Sequence, residues 1–61
     1  MNVDQIVVSY HRPDAEFIVE FVECCGSNRW RERVAVFTDA HSANSYAESE
    51  GRRLRVPVFT Y

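Results

Sequence analysis

Two short runs without a polar break, Ile6-Val7-Val8 and Val34-Ala35-Val36-Phe37, constrain this chain more than any other feature. Uninterrupted β-branched runs mark strands covered on both faces. A chain of 61 residues has few elements with which to cover them, and a domain of this size buries only about 60% of the surface its unfolded form exposes. One compact domain spanning residues 1–61 is therefore expected, without room for a lid or a pocket walled on all sides. At 46% hydrophobic and 26% charged residues the composition is that of a folded domain rather than a disordered segment.

The runs divide the chain. Val3 to Tyr10 reads as a first strand, punctuated by His11-Arg12-Pro13, with Pro13 suited to the first position of a helix because its missing amide hydrogen has no partner there. From Asp14 to Cys25 a helical wheel places Glu16, Glu20 and Glu23 within one arc and Phe17, Ile18, Phe21, Val22, Cys24 and Cys25 opposite, with Gly26 as the stop. Ser27 to Arg33 reads as an arginine-rich connection around Trp30. Val34 to Phe37 forms a second strand. Thr38 or Asp39 caps a second helix in which Ala40, Ala43, Ala47 and Leu54 share a face; Gly51 continues its close packing and the helix runs to about Leu54. Val56 to Tyr61 closes the chain as a third strand, Pro57 marking it as an edge. The pattern predicts an α/β fold in β-α-β-α-β order: a small three-stranded sheet, parallel or mixed, with two helices.

Charge and cysteine usage narrow the function. Nine acids face seven arginines, with no lysine. A net charge of −2 disfavours a direct nucleic-acid binder, which needs a cationic excess to neutralise phosphates. Cys24 and Cys25 are adjacent and unsuited to bridging distant parts of a secreted domain, which suggests a reducing, cytoplasmic setting. At a predicted helix C-terminus the dipole opposes thiolate formation, so Cys25 is expected in the core and Cys24 partly buried. The opening residues Met1 to Gln5 lack a secretory pattern, and no apolar run approaches the roughly 18 residues of a membrane span.

Three functional readings emerge. The first is a non-catalytic protein-binding module. Its acidic helix face, Glu16, Glu20 and Glu23, occupies a basic, nucleic-acid-binding surface on a larger protein or nucleoprotein machine, as a phage-encoded anti-CRISPR-like inhibitor would. Arg29, Trp30 and Arg31 form a second contact patch, since arginine beside an aromatic is the composition of interface hot spots. The second is a small metal-binding domain or enzyme. It places His11 and Asp14 after the first strand, and Asp39 and His41 after the second, at one end of a parallel sheet. Neither cluster has diagnostic metal spacing or a Gly-x-Ser-x-Gly turn, and the aspartates in both turns oppose phosphate binding at the helix N-termini. No cofactor is expected. The third is a structural homodimer, because two helices cannot cover all the apolar surface of the sheet.

Overall fold

The computed structural model describes residues 3–25 and 28–60, with the side chains of Cys24, Cys25, Asn28 and Arg29 outside that description. The expected burial of the two cysteines, the role of Gly26 as a stop and the side chain of Arg29 therefore lie outside the described residues. Three strands follow one another along the chain, β1 (Gln5–His11), β2 (Glu16–Cys25) and β3 (Asn28–Phe37). A helix, α1 (Ala40–Leu54), and a short strand, β4 (Val58–Thr60), complete the fold. The strands form one mixed sheet in the order β3-β2-β1-β4. This corrects the β-α-β-α-β expectation: four strands and a single helix are present among the described residues, and the segment read as the first helix is the ten-residue strand β2.

Residues 16–25 fold as a strand because Phe17, Ile18, Val19, Phe21 and Val22 are aromatic or β-branched, types that lose side-chain freedom in a helix and pack well on a pleated surface. Pro13 helps to reverse the chain rather than start a helix. The amide of Ala15 donates to the Arg12 carbonyl at 3.2 Å, which puts Pro13 at the second position of a β-turn where its fixed φ is favoured. Ala15 follows with φ 52°, a left-handed conformation that completes the reversal between His11 and its register partner Glu16. The segment read as an arginine-rich connection is the first part of β3, antiparallel to β2.

Alternation along these strands sorts their side chains. Ile6 and Val8 on β1 pair with Phe21 and Val19 on β2, and Val19 and Phe17 pair in turn with Ala35 and Phe37 on β3. These residues meet α1: Ile6, Val8, Val19, Ala43 and Ala47 form the buried cluster, with Phe17, Phe37, Tyr46 and Val58 packed against it. At Val19/Glu20 the register slips, Val19 facing Ala35 and Glu20 facing Arg33, so that Val34 has no partner. This bulge breaks strict alternation, and Val34 and Ala35 both pack against the cluster.

The expected second helix is present as α1, ending at Leu54. Its buried positions Ala43, Ala47 and Gly51 recur every four residues, a stripe of small residues along which the helix lies close to the sheet. β3 and β4 both run parallel to β1, so α1 is the crossover between the two edges of the sheet. A single crossover helix covers only one face. At its C-terminus Arg55 adopts a left-handed conformation (φ 60°) and its amide donates to the Gly51 carbonyl, which also accepts from Val56 at 3.0 Å. Pro57 then leads into the edge strand, its carbonyl accepting from the amide of Ile6 at 2.9 Å.

At the other end Asp39 is the N-cap, its carboxylate accepting from the Ser42 amide at 2.8 Å. That backbone bond, with help from the Ser42 hydroxyl and the charge of His41, holds the Asp39 carboxyl below its ordinary value. A carboxyl with a depressed folded-state pKa stabilises the fold above its unfolded pKa of about 3.9, and loses that contribution as pH falls through the lower folded value. Glu50 acts in the same direction through its paired contacts with Arg53 at 2.8 and 2.9 Å. Replacing Asp39 by Asn keeps an acceptor that does not titrate. Thermal melts from pH 7 to pH 2 are expected to show Asp39→Asn close to the wild type at neutral pH with a shallower fall in acid, whereas Asp39→Ala melts a few degrees lower already at pH 7.

Candidate functional site

The face of the sheet opposite α1 carries the other half of each strand's residues. Val7, Ile18 and Val22 belong to it and lie outside the cluster beneath the helix. All three are nonetheless buried, Ile18 to 2% exposure. Among the described residues no helix covers this side, so the shielding comes from neighbouring side chains of the sheet itself. Toward the edges the cover fails. Val36 on β3 is 43% exposed and Phe59 on β4 is 42% exposed. Register sets them in two rows: Val36 is level with Ile18 and Ser9, and Phe59 is level with Val7 and Glu20, so the apolar band that joins them runs obliquely through Ile18 and Val7. Three strand spacings of about 4.8 Å, with an offset of two residues along the strands, put the two exposed positions roughly 16 Å apart.

Charges on the same face are mixed. Glu16 and Glu20 lie there on β2, and Arg31 and Arg33 lie there on β3. Arg33 is the register partner of Glu20, and the Arg31 guanidinium reaches the Glu20 carboxylate at 3.8 Å, with Glu20 the more shielded of the two.

This geometry rearranges the residues singled out in the sequence. Glu16 and Glu20 share a face in a strand as they would in a helix, but Glu23, an odd number of residues further on, belongs to the opposite face. The three glutamates do not form one ridge. Arg31 and Trp30 are likewise split: Arg31 lies on the helix-free face, while half-buried Trp30 lies on the other, across from Glu23. Arg29 pairs in register with Cys24. Sequence reasoning singles out neither Val36, read in a strand covered on both faces, nor Phe59, read in an edge strand, as a contact residue. The available signal was their position, since both occupy strands with a neighbour on one side only.

The residues proposed for metal or hydrolytic chemistry are not assembled into a centre. β1 and β3 are separated by β2, so the turn carrying His11 and Asp14 and the one carrying Asp39 are two strands apart. The Asp39 carboxylate is engaged at the helix cap. Among the described residues no three of His, Cys, Asp and Glu converge in a way that could hold a metal ion. An open hollow of about 420 Å3 at the C-terminal end of α1 sets Glu48 against Arg52 and Arg55, over a floor of Gly51, Val56 and Val58. Its lining contains no histidine, cysteine or hydroxyl nucleophile.

A second feature lies at the end of the sheet beside the first turn. Tyr10 and Phe17 are in contact at 4.7 Å between ring centroids, and Phe37 and Tyr46 at 5.6 Å. Phe17 and Phe37 are register partners, so the four rings follow one another across β1, β2, β3 and α1. Tyr10, the outermost, is exposed. Tilted ring pairs of this kind add to core packing, and this row closes the end of the helix-covered layer. No helix among the described residues is long and apolar enough to cross a membrane. Comparison with known protein families, curated proteins and solved structures found no match to the chain.

Proposed function

We propose that the chain is a small non-catalytic protein-binding module that works through the helix-free face of its sheet. The observation that carries this reading is the apolar band from Val36 to Phe59, exposed at both edges of a face that α1 does not cover. Exposed apolar side chains grouped on one surface and flanked by charges are the composition of contact sites. Acidic mimicry of a nucleic acid loses its basis with the acidic helix, because the segment is a strand and Glu20 stands among arginines. The relocated surface instead suits a partner that offers apolar area and both signs of charge.

Affinity capture from the native cell tests the reading. The wild-type chain is expected to retain a discrete set of proteins, its own copies included, and Val36→Asp/Phe59→Asp is expected to lose them. Glu48→Lys, on the exposed side of α1, is expected to retain them. Equal retention by the wild type and the double variant would contradict it.

A further inference from the structure

We infer that the free edge of β4 and the hollow at the C-terminal end of α1 together take an extended, acidic segment of a partner protein, which adds a strand beside β4. The inference rests on the binding reading above and deepens it, because a strand placed there lies alongside exposed Phe59 and lengthens the apolar band.

The edge is open. β4 has a neighbour on one side only. The Ile6 amide donates to the Pro57 carbonyl within a parallel pair in which Ile6 stands opposite Val58. In such a ladder the main-chain groups of Phe59 face β1, and those of Val58 and Thr60 turn outward. No charge and no proline lies between Val58 and Thr60. The other edge is guarded: β3 carries Arg31-Glu32-Arg33 and a register slip beside Val34, devices that discourage strand addition.

The charge fits an acid. Glu48, Arg52 and the C-cap Arg55 follow one another down one side of α1 and border the hollow, over the floor of Gly51, Val56 and Val58. Arg53 is engaged by Glu50 at 2.8 Å and Arg31 by Glu20, whereas neither ion pair includes Arg52 or Arg55, both exposed. Two guanidiniums exceed the carboxylate of Glu48 and the partial charge of about one half at a helix C-terminus. Side chains of an added strand alternate between faces. On the helix side, an acidic residue meets Arg52 or Arg55 and an apolar one two positions along rests on Val56 and Val58. On the other side the intervening residue packs beside Phe59.

Amide NMR of the isotope-labelled chain tests the inference, with a blocked peptide of about seven residues that alternates valine and glutamate. Strand addition binds through the main chain, so an unselected peptide at millimolar concentration is a sufficient probe. Saturable shifts are expected at the Val58 and Thr60 amides. Arg52→Gln/Arg55→Gln is expected to weaken the binding at least about 10-fold and Glu48→Lys to strengthen it. Lysine in place of glutamate in the peptide reads the same preference without altering the chain, again as a loss of at least about 10-fold. Unmoved Val58 and Thr60 amides overturn the inference, as does equal binding of the lysine peptide. Inorganic phosphate that reproduces every shift also overturns it, leaving an anion site without strand addition. If the peptide fails while captured proteins are still lost in Val36→Asp/Phe59→Asp, the binding module stands without the added strand. If the peptide binds while that double variant keeps its captured proteins, the helix-free face falls and the strand-accepting edge stands.

Discussion

Ile6→Ala is expected to leave the chain largely unfolded at 37 °C. Ile6 is fully buried where the layers meet, paired with Phe21 on one side and with Val58 on the other, and it packs among Val8, Val19, Ala43 and Ala47. Removing an isoleucine side chain from such a site costs about 2–5 kcal/mol, the transfer loss plus the cavity that remains. A domain of this length has a total stability of roughly 3–9 kcal/mol at 0.05–0.15 kcal/mol per residue, so one substitution removes a large share. Because a kilocalorie corresponds to about 4–8 °C in a domain of this size, the midpoint should fall by at least about 10 °C. Thermal melts at matched protein concentration check this, the matching being necessary where association contributes to stability. A shift of only a few degrees would mean that Ile6 is not the junction of sheet and helix.

Gly51→Ala is expected to destabilise although alanine is the better helix former. In an open helix the exchange would gain about 1 kcal/mol. Here a Cβ at position 51 lies 2.8 Å from Cγ2 of Val58 and 3.1 Å from the Val56 carbonyl oxygen. The first neighbour is β-branched and the second is backbone whose own amide is tied to the Gly51 carbonyl, so neither yields easily. Overpacking of this kind costs about 1–3 kcal/mol, and the net effect should lower the melting midpoint by several degrees. Combining Gly51→Ala with Val58→Ala removes the nearer clash, so the double variant should lose less than the sum of the two singles. Full additivity, or a Gly51→Ala variant more stable than the wild type, would show that α1 stands further from β4 than this.

Both substitutions probe the part of the fold that was legible in the sequence. The helix from Asp39 to Leu54 announces itself by a capping aspartate and by small residues every four positions, and it is present with those features. The strand read at Val3 to Tyr10 overlaps β1, which runs one residue further to His11, and Pro57 stands just before an edge strand. Residues 16–25 were misread because glutamates four apart share a face under either period, and Glu23 completes an arc only on a helical wheel. The better discriminator was the side-chain type, with Phe17, Ile18, Val19, Phe21 and Val22 favouring a strand. Gly26-Ser27, two residues between two candidate strands, is a dipeptide that signals a hairpin, and Arg29, Arg31 and Arg33 alternate as strand residues do. Pro13 carried no decision by itself, since the same fixed φ serves the first turn of a helix and the second position of a β-turn.

That one misreading governs the functional surface. With a helix at 16–25 two helices share the cover of the sheet and the glutamates form a ridge. With a strand there, the helix count among the described residues falls to one, a face is left without a helix, and the glutamates divide between the two sides. The expectation of surplus apolar surface persists, but its location moves to a band ending at Val36 and Phe59. Arg31 is retained in the candidate surface for a different reason: it offsets Glu20 at the centre of that face.

The measurement closest to this claim is backbone NMR on residues 16–25. Carbon secondary shifts are expected to be extended throughout, with cross-strand nuclear Overhauser effects joining Val8 to Val19 and Val7 to Glu20, the pairs set by the β1–β2 register. Helical shifts with contacts three and four residues apart along the same segment would contradict the four-stranded sheet, and with it the helix-free face on which the binding function rests.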